Sequence, residues 1–180
     1  ADQDWQSTYL GKMKERVEMF DDCGIESEIV EAMIQDVYQN IDLLKNRSQC
    51  LQHGDFHVGN LIINQEEDLF VIDFNRMKLG DPYYEFNRIG ISSQFSPDFA
   101  TGQIDGYFQD DTPTDFFRYL KFYTISVLIG TIPWSLKYTS DDLAFSLASL
   151  EHVYEEFQQL KSNQPTWYTK VKETQKKVKK

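Results

Sequence analysis

A chain of 180 residues fits one domain and can bury a sizeable core, and its 41% hydrophobic and 26% charged residues exclude a disordered polymer. The formal net charge of −11 disfavours nucleic acid as a partner and suits either cationic partners or solubility alone. The longest nearly apolar run, residues 122–134, is too short to span a bilayer, so no membrane segment is expected, and the two isolated cysteines, Cys23 and Cys50, fit free thiols in a reducing cytoplasm.

Taken in order, Tyr9, Leu10, Met13, Val17 and Phe20 recur at helical spacing and predict a helix over 7–20, stopped by Asp21-Asp22-Cys23-Gly24. Ile29, Val30, Met33, Ile34, Val37, Tyr38, Ile41 and Leu44 mark one face of a longer helix that starts near Glu26 or Ser27. Joined by a short loop, the two form a helical hairpin whose apolar faces need a third partner.

Residues 50–52 read as a short extended segment, and 53–60, with two glycines and no helical period, as a loop. Two short strands, 61–63 and 69–72, then make a hairpin that brings Asn60 and Asp73 together at its open end. Residues 74–80 read as loop. Asp81-Pro82, Ser96-Pro97 and Thr112-Pro113 each place a capping side chain before a proline, predicting helices over 82–91, 97–108 and from 113 onward. The last of these turns apolar all round through Ile129, the pattern of a central buried helix. Ser140 opens a final long helix with a stripe of Leu143, Leu147, Leu150, Tyr154, Phe157 and Leu160. From Lys161 onward seven lysines face a single acid, Glu173, and the tail from Lys170 lacks an apolar face, which predicts a frayed helix or no structure. The fold class is therefore mainly α with a small β-hairpin.

The chemistry concentrates in His53-Gly54-Asp55-Phe56-His57-Val58-Gly59-Asn60. Alternating His53, Asp55 and His57 could point one way from an extended segment and bind a metal; the plainer alternative is a polar loop whose histidines satisfy backbone groups. Zinc would need further His or Cys ligands, and His152, the only other histidine, lies in the last helix. Asp55, Asn60 and Asp73 make better chemistry together. Phosphoryl transfer needs a carboxylate to position the attacking hydroxyl and hard oxygen ligands for Mg²⁺, and kinases supply them as Asp-x₄-Asn followed by a metal-binding Asp after a short hairpin.

His53 to Leu61, with Val71-Ile72-Asp73-Phe74 and Gly80-Asp81-Pro82-Tyr83-Tyr84-Glu85, resembles the aminoglycoside phosphotransferase family, kinase-like enzymes related to the choline kinases. The resemblance implies the C-terminal lobe of the protein-kinase-like fold (α+β) over 1–165, with a lysine-rich tail over 166–180. It implies that Asp55 is the catalytic aspartate, that Asn60 and Asp73 bind Mg²⁺, that His53 braces the loop, and that Arg76 helps hold the site's charges. Ile62 and Ile72 would line the floor of the pocket for ATP or GTP, with plain strand packing as the equal alternative. Asp81 reads as a helix cap, and Cys50 as a packed thiol.

The sequence departs from the family pattern before Asp55, where residues 1–50 offer two helices and neither a Gly-rich hairpin nor a strand lysine. The expectation is half of a nucleotide clamp, inactive alone; a chain that truly begins here would favour a non-catalytic binding protein. The acceptor implied is a small cationic hydroxyl compound such as an aminoglycoside, with Asp21, Asp22, Asp110 and Asp111 as candidate acidic contacts or simply solvated loop acids. Choline, a sugar or an amino alcohol are the other acceptors, choline needing an aromatic cage for which Tyr83, Tyr84, Tyr107 and Trp134 are available.

Overall fold

The computed structural model describes residues 4–178. Helix α1 (Trp5–Asp22) starts where the Asp4 carboxylate accepts from the Ser7 amide at 3.1 Å, and it buries Trp5, Tyr9, Met13 and Phe20. Helix α2 (Glu28–Asn40), capped by the Ser27 hydroxyl, buries Val30, Met33 and Val37 and runs on as a 3-10 turn, Ile41–Leu44. The helical hairpin read from periodicity is present, with Ser27 as the start.

Four three-residue strands follow in two antiparallel pairs. Strands β2 (Leu61–Ile63) and β3 (Leu69–Val71) form the expected hairpin, with Ile62 opposite Phe70. The extended segment expected at 50–52 is strand β1 (Cys50–Gln52), but its partner is not legible in the sequence: β4 (Lys78–Gly80), Leu51 opposite Leu79, lies inside the stretch expected to be loop. Three residues carry too little alternation to announce a strand when the partner lies far along the chain.

The helix expected over 82–91 is a 3-10 helix, Pro82–Arg88, passing into α3 (Ile89–Phe95). Asp81 caps it, its carboxylate accepting from the Tyr83 amide at 2.9 Å. Helix α4 (Pro97–Phe108) begins at the Ser96 cap as predicted, whereas α5 (Phe116–Ile129) begins three residues after Pro113. All residues of α5 from Leu120 to Ile129 are buried, and it is the axis against which α1, α2, the 3-10 helix and α7 pack. Each fully buried Phe or Ile there stabilises the fold by about 1.5–3 kcal/mol relative to exposure.

Short α6 (Thr131–Ser135) turns the chain into α7 (Ser140–Glu156), whose start is a capping box between Thr139 and Asp142. The tail, expected to be frayed or unstructured from Lys170, is helix α8 (Thr166–Val178). Its lysines are surface, but Trp167, Tyr168 and Val171 are buried against α4, and Lys172 reaches Asp105 at 2.6 Å. The apolar contacts cluster at its first turns, which is why a reading from Lys170 misses them.

One polar chain threads the core toward the loop. Trp5 Nε1 donates to the Tyr123 hydroxyl at 2.8 Å, and that hydroxyl donates to Asp81 Oδ2 at 2.7 Å. Asp81, fully buried, also takes both arms of Arg47, at 2.6 and 2.8 Å. It is therefore a cap and the buried anchor of an ion pair at once, a larger role than a cap alone.

Candidate active site

The loop between β1 and β2 is held from several directions. The Glu85 carboxylate accepts from the backbone amides of His53 at 2.8 Å and Gly54 at 3.0 Å. His53 is buried; its Nδ1 accepts from the Asp55 amide at 3.2 Å, which leaves Nε2 as the N–H that donates to the Ile72 carbonyl at 2.8 Å. The ring also packs on Phe74, with centroids 4.6 Å apart. His53 is thus tied at both nitrogens, as a brace would be, and not free to ligate a metal. His57 accepts from the Gly59 amide at 3.0 Å, and burial lowers its pKa, with Asp55 opposing and Arg88 reinforcing that shift.

Gly54 has φ of +83°, and a Cβ there would stand 2.3 Å from the Arg76 carbonyl oxygen. This close approach brings the segment after β3 against the loop. The two meet again where the Ile72 amide donates to the Asn60 carbonyl at 3.0 Å. Asp73, next in the chain, sits in the left-handed region at φ 64°.

The Asp55 carboxylate is mostly buried and lies between two guanidinium groups: Arg88 Nε is 3.2 Å from Oδ1 and Arg76 Nε 3.6 Å from Oδ2. The Asn60 side-chain nitrogen donates to the Asp55 carbonyl at 2.9 Å, so its amide oxygen is the atom left to face a cation. Asn60 and Asp73 therefore offer an amide oxygen and a carboxylate, donors that fit a hard divalent ion. Among the described residues no group of three or more His, Cys, Asp or Glu is arranged to hold a metal, so His53, Asp55 and His57 do not form the imidazole site considered from the sequence.

Asp55, His57, Arg76 and Arg88 open into a cavity of about 410 Å³ whose other walls come from α1, α3, α5, α6, α7 and the turn after α6. The expected acidic contacts are elsewhere: Asp21 and Asp22 are the last two residues of α1, Asp110 and Asp111 follow α4, and none of the four lines this cavity. Ile62 and Ile72, 49% and 40% exposed, are not packed strand residues and lie outside the cavity as well. Of the aromatic candidates only Trp134 lines it, while Tyr84 is buried in the core. Cys50 is exposed instead of packed.

Three residues with parts in the site were given none from the sequence: Glu85, Arg88 and Arg16. A signal existed for the first two. Residues three apart on a 3-10 helix stand one above the other, so Glu85 and Arg88 share a side and both reach the loop. Arg16 lies on a helix read only for its apolar face.

Residues 2–118 match the sequence profile of the phosphotransferase enzyme family. A search of curated proteins by sequence found no match. Among solved structures, the chain resembles a thermostable mutant of aminoglycoside phosphotransferase APH(4)-Ia in its apo form, with TM-score 0.63 and 17% identity over 84% of this chain and 52% of that one. It also resembles APH(2")-IIa in a ternary complex with streptomycin and ATP (TM-score 0.53, 22% identity, 83% of this chain and 51% of that one). A third is ADP-bound aminoglycoside phosphotransferase APH(2'')-Ib (0.51, 18%, 93% and 55%). The chain spans about half the length of these structures. Among the described residues no helix is long and apolar enough to cross a membrane. With the profile matched across the helical hairpin, the loop and both strand pairs, and the kinase-like fold shared with these structures, the chain belongs to the phosphotransferase enzyme family.

Proposed function

We propose that this chain is the catalytic-loop lobe of an ATP-dependent phosphotransferase that phosphorylates a hydroxyl of a small molecule. The observation that carries the reading is the Asp55 carboxylate, braced by His53 and Glu85 through the backbone and opening into a cavity of small-molecule size. In this reading Asp55 orients the acceptor hydroxyl and takes its proton as the phosphoryl group arrives. Arg76 and Arg88 hold the carboxylate in place and face the charge that develops on the transferring group. Asn60 and Asp73 would hold Mg²⁺, which would supply positive charge to neutralise the nucleotide phosphates. Ile62 and Ile72 present apolar surface for the base of ATP or GTP, which fits their exposure.

A lobe of this kind contributes half of a nucleotide clamp, so the 180-residue chain alone is expected to be inactive and to gain turnover when joined to a lobe with a Gly-rich hairpin and a strand lysine. Two unpaired thiols and ATP dependence fit the cytoplasm. An aminoglycoside acceptor is favoured by the streptomycin complex of the structural neighbour, but not by the lining of the cavity.

The test is phosphate transfer from labelled ATP with Mg²⁺ by the two-lobed protein and by its Asp55→Asn variant. Loss of turnover in a folded variant supports the reading. Unchanged turnover would remove Asp55 from its role, and a two-lobed protein without turnover on any hydroxyl acceptor leaves the non-catalytic binding protein.

A further inference from the structure

We infer that the acceptor bound by this cavity is an anionic hydroxyl compound with an apolar body, rather than a polycation; the inference deepens the phosphotransferase reading and rests on it. The chain as a whole carries a net charge of −11, yet the cavity inverts that sign. Arg16, Arg76, Arg88 and Lys137 line it, and among the described residues Asp55 is its one carboxylate.

Asp55 accounts for the cations beside it, Arg76 and Arg88. The other two have no carboxylate partner among the described residues. The Arg16 guanidinium is held by neutral groups, the Tyr9 hydroxyl at 3.1 Å and the Tyr84 hydroxyl at 3.3 Å, and Lys137 stands exposed in the turn after α6. A half-buried guanidinium fixed by two hydroxyls and left without a counter-charge is poised for an anion from outside.

The nucleotide's phosphates are a poor account of these two charges. Asn60 and Asp73, the oxygen pair suited to a nucleotide-bound metal, do not line the cavity, whereas Arg16 on α1 and Lys137 in the turn after α6 do. Much of the remaining wall is apolar. Trp134 and Phe145 are 50% and 49% exposed there, beside Met19 and Val127. Ammonium groups of a polycation would meet like charge at Arg16 and Lys137 without a carboxylate other than Asp55 to receive them. An acid with a ring or chain would set its carboxylate or phosphate against these cations and its apolar body on Trp134, leaving its hydroxyl toward Asp55.

The experiment is calorimetric titration of the 180-residue chain, without ATP, with 3-phenyllactate, with the uncharged 3-phenylpropane-1,2-diol, and with kanamycin. Phenyllactate is expected to bind about tenfold more tightly than the diol, as for a charge-assisted contact. Lys137→Glu, at an exposed position that leaves folding intact, is expected to weaken phenyllactate binding by about tenfold and to spare the diol. Arg16→Gln is expected to do the same wherever circular dichroism shows it folded. Absence of phenyllactate binding, equal binding of acid and diol, indifference to Lys137→Glu, or tighter binding of kanamycin would overturn the inference. Because no nucleotide is present, these results are independent of the transfer assay: failure of Asp55-dependent turnover leaves the preference for anions standing, and failure here leaves turnover untouched.

Discussion

The Glu85 carboxylate holds the backbone of His53, accepting its amide at 2.8 Å while taking the Gly54 amide at 3.0 Å with its other oxygen. The loop that carries Asp55 is thereby fastened to the 3-10 helix by a charged acceptor. Glu85→Ala removes both bonds and leaves two amides in a partly buried place, so a loss of about 2–4 kcal/mol is expected in urea unfolding. Glu85→Gln keeps one acceptor oxygen and is expected to lose less than half of that. Equal effects from the two variants would show that the charge and the paired geometry do not matter.

Gly54 is the second fastening, and it depends on a missing side chain. With φ at +83° and the Arg76 carbonyl 2.3 Å from where a Cβ would be, Gly54→Ala must move either the loop or the segment after β3. A cost of about 1–3 kcal/mol is expected, together with displacement of Arg76 from Asp55. Thermal unfolding measures the first, and the change in amide chemical shifts of residues 72–77 the second.

Asp81 is the buried junction of Arg47, Tyr123 and the start of the 3-10 helix. Asp81→Ala leaves the Arg47 charge and the Tyr123 hydroxyl without their acceptor, and a loss of about 3–5 kcal/mol is expected in denaturant unfolding. The double variant Asp81→Ala with Arg47→Met is expected to recover part of that loss, since it removes the stranded charge. No recovery would show that the cap, not the ion pair, carries the stability.

Burial raises the Tyr9 hydroxyl to about 12 from 10.0, against the pull of Arg16. In the unfolded chain the same hydroxyl ionises near its ordinary value, so its contribution is complete below pH 10 and is lost as pH rises from there toward about 12. About 2–3 kcal/mol is expected to disappear across that window. Tyr9→Phe should flatten this alkaline decline in a pH series of melting temperatures; an unchanged slope would assign it to other tyrosines such as Tyr123, which burial and Asp81 also raise.

The sequence makes the helices legible because their information is local. Met13, Val30 and Val37 announce a buried face at helical spacing, and the Ser27 and Ser96 caps announce where helices begin. The spacing of Asp55 and Asn60, with Asp73 after the hairpin, is likewise a local pattern. What the sequence hides is pairing at a distance. Cys50–Gln52 against Lys78–Gly80, and Arg47 with Asp81, are each made by residues about thirty positions apart with no periodic sign of the match. The sign of the cavity was hidden for the same reason. Asp21 and Asp22 look available in a list of acids, but the fold turns Arg16 of the same helix into the cavity wall.

The anchoring of the His53–Asn60 loop has a consequence for the order in which the molecule assembles. Its partners all come later in the chain: Ile72 lies 19 residues beyond His53, Glu85 lies 32 beyond it, and Arg88 is 33 residues beyond Asp55. Bonds within the loop, such as those of His53 to the Asp55 amide and of Asn60 to the Asp55 carbonyl, shape it locally, but each of these longer ties requires closure of a segment that helices such as α2 do not need in order to form. The position of the Asp55 carboxylate is therefore expected to be fixed only after the chain as far as Arg88 has docked on the loop, later than the helical content that local bonds supply.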